Sequence, residues 1–67
     1  MTPQATAVVK ELKYQYGYAA LDRLSRNLGI PVPSIRRCLN EINQEFYAWR
    51  SDYNVQTCNG VVRLSRG

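Results

Sequence analysis

Between Tyr53 and Arg66 the chain reads YNVQTC, then Asn59-Gly60, then VVRLSR. Asn-Gly is the strongest short-range signal for a two-residue type I′ turn, because both turn residues need positive φ and these two reach it at least cost. Placing the turn there fixes the register. Cys58 pairs with Val61, Gln56 with Arg63 and Asn54 with Ser65 on one face. Thr57 with Val62, Val55 with Leu64 and Tyr53 with Arg66 share the other. The first set is mostly polar and the second mostly apolar, so turn chemistry and hydrophobic pattern agree. A two-stranded hairpin cannot stand alone in water. The rest of the chain must cover it.

The preceding residues read as helices. Thr2-Pro3 is a hydroxyl cap followed by proline at the first helical position. Ala5, Val8, Val9, Leu12 and Tyr16 recur at helical spacing and Gly17 supplies a stop, which predicts a helix over about residues 3–16. Tyr18 and Ala19 form a short connector or a single rung of strand. A second helix over about 20–28 buries Leu21, Leu24 and Leu28, ends at Gly29, and lacks a Ser, Thr, Asp or Asn cap. Pro33 opens a third helix, where its missing N–H costs nothing and its φ is preset. Ile35, Cys38, Leu39, Ile42, Phe46 and Trp49 give that helix a nearly continuous apolar stripe to about residue 50, unless a strand begins near Phe46. With no repeats, low-complexity tracts or linkers, residues 1–67 read as one domain, mainly α with a small antiparallel hairpin at its end.

Chemistry is scarce. The chain has no histidine, which removes the commonest general base and the commonest zinc ligand. Cys38 and Cys58 form no CxxC pair, and an intracellular setting disfavours a disulfide between them. Cys38, on an apolar helix face, reads as a small hydrophobe. Glu11, Asp22, Glu41, Glu45 and Asp52 form no recognisable acid/base pair. An enzyme, a metal site or a cofactor is not expected. No apolar run approaches the length of a membrane span, and the N-terminus lacks the pattern of a signal peptide, so a cytoplasmic chain is expected. Nine Lys/Arg against five Asp/Glu leave a net charge of +4, a bias toward an acidic partner.

Three helices followed by a hairpin, the second and third joined by a tight glycine turn, is the layout of a winged helix-turn-helix. Leu24, Leu28, Gly29, Ile30, Ile35 and Cys38 fall where that motif needs apolar or turn residues, and Ser25 where close helix approach needs a small one. The stretch LSRNLGIPVPSIRRCLNEI resembles the helix-turn-helix of deoxyribose-operon-repressor type bacterial regulators, in which a Ser/Thr-Ile-Arg-Arg-x-Leu string forms the recognition helix. Ser34, Ile35, Arg36, Arg37, Leu39 and Ile42 match it over roughly residues 20–45, and the hairpin resembles more loosely the wing of the biotin-repressor type. The chain departs in having Pro31-Val32 where a capping Ser or Thr is usual, leaving Ser34 as the nearby hydroxyl, and Cys38 where an acid commonly follows the arginines.

With Ile35, Cys38, Leu39 and Ile42 facing the core, Arg36, Arg37, Asn40 and Gln44 must face outward. Arginine suits the O6/N7 edge of guanine, and Asn or Gln the N6/N7 edge of adenine. Arg37 is also spaced to pair with Glu41 at i,i+4, as a solvated charge would. Arg63 and Arg66 place cations on the wing within reach of phosphate or a minor groove. Double-stranded DNA is therefore the first expected partner, read by a small bacterial or phage transcription regulator. The alternative is a protein-interaction module of the same fold, for example a small phage or mobile-element factor bound to a host protein. Tyr14, Tyr16, Tyr18, Tyr47, Trp49 and Tyr53 are expected mostly to pack between the first helix, the end of the third and the hairpin, with some left as partner surface. The apolar surface of the first helix and the Phe46–Trp49 segment also suggests a homodimer.

Overall fold

Thr2 starts the first helix as its hydroxyl implies: its Oγ1 accepts from the Ala5 N–H at 3.3 Å, with Pro3 at the first helical position. In the computed structural model, which describes residues 1–66, α1 spans Pro3–Tyr14, β1 Tyr18–Ala20, α2 Leu21–Leu28, α3 Val32–Ala48, β2 Tyr53–Cys58 and β3 Val61–Arg66. The three helices pack with a three-stranded antiparallel sheet of order β1-β3-β2.

The hairpin has the register read from its turn. All six pairs from Cys58↔Val61 to Tyr53↔Arg66 are present, and Asn59 and Gly60 adopt φ of 53° and 74°. The connector at Tyr18 forms a strand that reaches Ala20, a residue the sequence assigned to the second helix. It pairs along the free side of β3, Ala19 opposite Val62, and makes β3 the central strand. This pairing also explains how α2 begins without a side-chain cap. The Leu21 N–H, an orphan at the helix start, donates to the Gly60 carbonyl at 2.8 Å.

Helix ends differ from the sequence reading in an informative way. α1 stops at Tyr14 because Tyr16, not Gly17, is the first residue to turn left-handed, with φ of 62°. The Tyr16 N–H donates to the Lys13 carbonyl and the Gly17 N–H to the Leu12 carbonyl, the paired bonds of a Schellman ending. Tyr16 therefore leaves the apolar stripe and stands 97% exposed. α3 starts one residue before Pro33 and ends at Ala48 by the same device, with Arg50 at φ of 54°. No strand begins at Phe46, and Trp49 turns out of the stripe to lie exposed.

Ala5, Val8 and Leu12 of α1 meet Leu21 and Leu24 of α2 and Ile35, Cys38, Leu39 and Ile42 of α3, with Ala19, Ile30, Val55 and Val62 closing the core. Burying each of the larger aliphatic side chains contributes roughly 1.5–3 kcal/mol. Among the described residues no polar side chain belongs to this core, and no helix is long and apolar enough to cross a membrane. The aromatic residues correct the sequence expectation most. Tyr14, Tyr16, Tyr18, Tyr47, Trp49 and Tyr53 are all exposed, and only Phe46 packs against the core.

Candidate nucleic-acid interface

The buried stripe of α3 dictates what its other side presents. At about 100° per residue, Arg37 lies about 100° round the axis from Arg36, Asn40 about 40° and Gln44 about 80°. All four are exposed, and Ser34 at the helix entrance is half-buried. They occupy one arc. Tyr47 falls on the same arc, 87% exposed and one turn beyond Gln44, although sequence reasoning placed it among packing aromatics. Its i+3 spacing from Gln44 was the available signal.

The carboxylates of α3 do not neutralise this arc. Thr2 donates to Glu41 twice, from its N–H to Oε2 at 2.6 Å and from its hydroxyl to Oε1 at 3.2 Å. Glu45 holds the Met1 ammonium at 2.9 Å and thereby raises that amine above its ordinary range. The i,i+4 pairing of Arg37 with Glu41 is absent. Arg37 instead donates from Nη2 to Ser34 Oγ at 3.1 Å, and among the described residues neither arginine makes an ion pair. Behind the arc, burial pushes the Cys38 thiol above its ordinary value.

On its other flank α3 is tied to the sheet by a contact the sequence did not announce. Val55 and Leu64 form a pair whose backbone groups point away from one another, leaving the Val55 N–H and C=O on the outer edge of β2. The Asn43 side chain takes both: Oδ1 accepts from the Val55 N–H at 2.8 Å, and Nδ2 donates to its carbonyl at 2.9 Å. A shallow groove follows, lined by Arg36, Leu39, Asn40, Asn43, Val55 and Thr57. Thr57 is thus the hairpin residue beside the α3 arc.

Arg63 and Arg66 are separated. Each is exposed, but three positions apart on β3 they project from opposite faces. Arg63 sits over the Tyr18 ring of β1, 5.9 Å from its centroid, and Arg66 over the Tyr53 ring at the same distance. The two arginines thus lie on the separate hairpin faces that the turn register implies. Comparison with known protein families, curated proteins and solved structures gives no match for this chain.

Proposed function

We propose that the chain is a winged helix-turn-helix domain that binds double-stranded DNA, with α3 in the major groove and the β2–β3 hairpin as its wing, on the backbone or in the minor groove. The observation that carries this reading is the α3 arc: two unpaired arginines with Asn40 and Gln44, and both helix carboxylates drawn away to the start of α1. α2 and α3 are joined by Gly29, Ile30 and Pro31 alone, a turn of the length the motif uses, with Gly29 left-handed at φ of 67°. An α-helix about 10–12 Å across fits a major groove about 12 Å wide. Arg36 and Arg37 then read guanine edges, Asn40 and Gln44 adenine edges, and the Tyr47 hydroxyl and Ser34 reach phosphate. Arg63 supplies the wing contact on one sheet face and Arg66 on the other.

One recognition helix covers a few base pairs, so a second copy of the chain would supply the other half of a palindromic site about 34 Å away. Selection from random duplex DNA tests the whole reading. A defined site is expected to emerge, and Arg36→Ala and Arg37→Ala each to weaken it by about 1–3 kcal/mol while the fold is retained. Affinity should fall steeply with salt, and neutralising a phosphate-bound arginine of the wing should flatten that slope by about one. Enrichment of no sequence, or wild-type affinity in both arginine variants, would overturn the assignment in favour of a protein-interaction module.

A further inference from the structure

The side of the molecule formed by α1, the end of α3 and the open end of the hairpin carries a trough of about 690 Å³. That volume lies within the ~300–1,000 Å³ typical of ligand sites. Val9, Phe46, Trp49, Tyr53 and Leu64 supply its apolar lining, and Phe46 holds the Trp49 and Tyr53 rings at 6.3 Å each. Tyr16 stands beside them on a left-handed backbone, a conformation that disfavours any residue with a Cβ. An exposed tyrosine held at such a position contributes nothing to the core. Exposed Trp and Tyr grouped on one surface are the side chains that most often anchor a bound partner.

Charge decides what that partner is. Lys10 and Lys13 line the trough, both are exposed, and among the described residues neither is ion-paired. No carboxylate lines it, and the Glu45 carboxylate that contacts Met1, a lining residue, is already occupied by the ammonium. We propose that this trough docks a peptide segment of another protein, one that carries aromatic or aliphatic anchors flanked by Asp or Glu. A second copy is a poorer fit, because a two-fold contact would set the cationic trough against itself and bring four lysines into one interface. Duplex DNA offers phosphate to the lysines but keeps its bases stacked on one another, away from the apolar lining. The trough shares no residue with Arg36, Arg37, Asn40 and Gln44, so the proposal stands independently of how α3 is used.

The test is a random-peptide display selection against the intact chain, followed by titration of the enriched synthetic peptides. Trp49 is the sole tryptophan, so its emission reports occupancy of the trough directly. Enriched sequences are expected to combine apolar anchors with Asp or Glu and to shift that emission. Lys10→Glu with Lys13→Glu, both on exposed positions that leave the fold intact, should weaken binding about tenfold or more. The same double variant should bind better a peptide whose acids are replaced by lysine. Trp49→Ala, followed by anisotropy of a labelled peptide, should weaken binding irrespective of salt. The proposal fails if nothing is enriched, if the enriched peptides lack acids, or if both variants bind as the parent does. It fails equally if sedimentation finds a dimer that Trp49→Ala dissociates and that the peptide cannot displace.

Discussion

Two asparagines three residues apart on α3 are expected to do different work, and replacing each with alanine separates them. Asn43 makes two hydrogen bonds to the backbone of Val55, whereas Asn40 is exposed and makes none within the described residues. Each bond contributes about 0.5–1.5 kcal/mol net, and Val55 is itself buried, so its N–H and C=O would be left poorly hydrated. The loss for Asn43→Ala is therefore about 2–3 kcal/mol before helix propensity is counted. Alanine regains up to ~0.7 kcal/mol of propensity at either position, a gain that cancels when the two variants are compared. The gap between them should thus be about 2–3 kcal/mol. For a chain of this length, whose total stability is roughly 3–10 kcal/mol, that corresponds to a difference of about 10–20 °C in Tm. Thermal and urea unfolding followed by far-UV circular dichroism would measure it. Asn40→Ala should match or slightly exceed the parent in stability yet lose about 1–3 kcal/mol of specific DNA affinity. Equal midpoints for the two variants would refute the idea that Asn43 fastens α3 to the sheet.

Tyr16→Gly should raise the urea midpoint by the equivalent of about 0.5–1 kcal/mol, because relief of the left-handed Cβ clash exceeds the added freedom of the unfolded chain; a lower midpoint would mean that the ring packs. Glu11 accepts from Gln15 Nε2 at 2.9 Å and from Asn27 Nδ2 at 3.2 Å, and these bonds hold its carboxyl below the ordinary value of 4.5. Its stabilising contribution is present above that value and is lost as pH falls through the depressed folded one, so the stability gap between parent and Glu11→Gln should close on acidification. A gap that is constant with pH would remove Glu11 from the account. Exposed Cys58 should react at once with a thiol reagent, and buried Cys38 only as the fold opens; two fast equivalents would contradict the packing of α3.

The hairpin was legible to the level of individual pairs because a two-residue Asn-Gly turn leaves no freedom in register. The α3 stripe was legible through Phe46 for a similar reason, since a 3.6-residue period separates buried from exposed side chains without reference to the rest of the fold. Helix ends were less so. Termination at Tyr16 and Arg50 rests on main-chain bonds to Leu12, Lys13, Phe46 and Tyr47, and any side chain leaves those carbonyls available. Gly17 is itself left-handed, at φ of 81°, but stands one residue beyond the position that ends the helix. The rung of strand at Tyr18 was legible, but its pairing with β3 and the Asn43 staple were hidden for a deeper reason. Each depends on which backbone groups are left unpaired at the sheet edges, a property of the assembled sheet that no local pattern records. The exposed aromatics are not distinguished by sequence because apolar character alone does not separate a buried ring from an exposed one.

The contacts made by the flanks of α3 bear directly on the arc between them. On one side Thr2 and Met1 occupy Glu41 and Glu45, and on the other Asn43 grips the edge of β2. A helix held on both flanks can neither roll nor slide without breaking a hydrogen bond or an ion pair. Its outward residues then keep one orientation before any partner arrives, which lowers the ordering cost of binding. The same contacts set the charge. Were Glu41 free, it would lie one turn from Arg37 and offer it an intramolecular partner, whereas Glu45 lies more than two turns away. Satisfied elsewhere, Glu41 leaves the cationic groups of the arc available to an external anion. Fixing the helix and unmasking its arginines are therefore achieved by one set of bonds, made by the first two residues of the chain to residues about forty positions away.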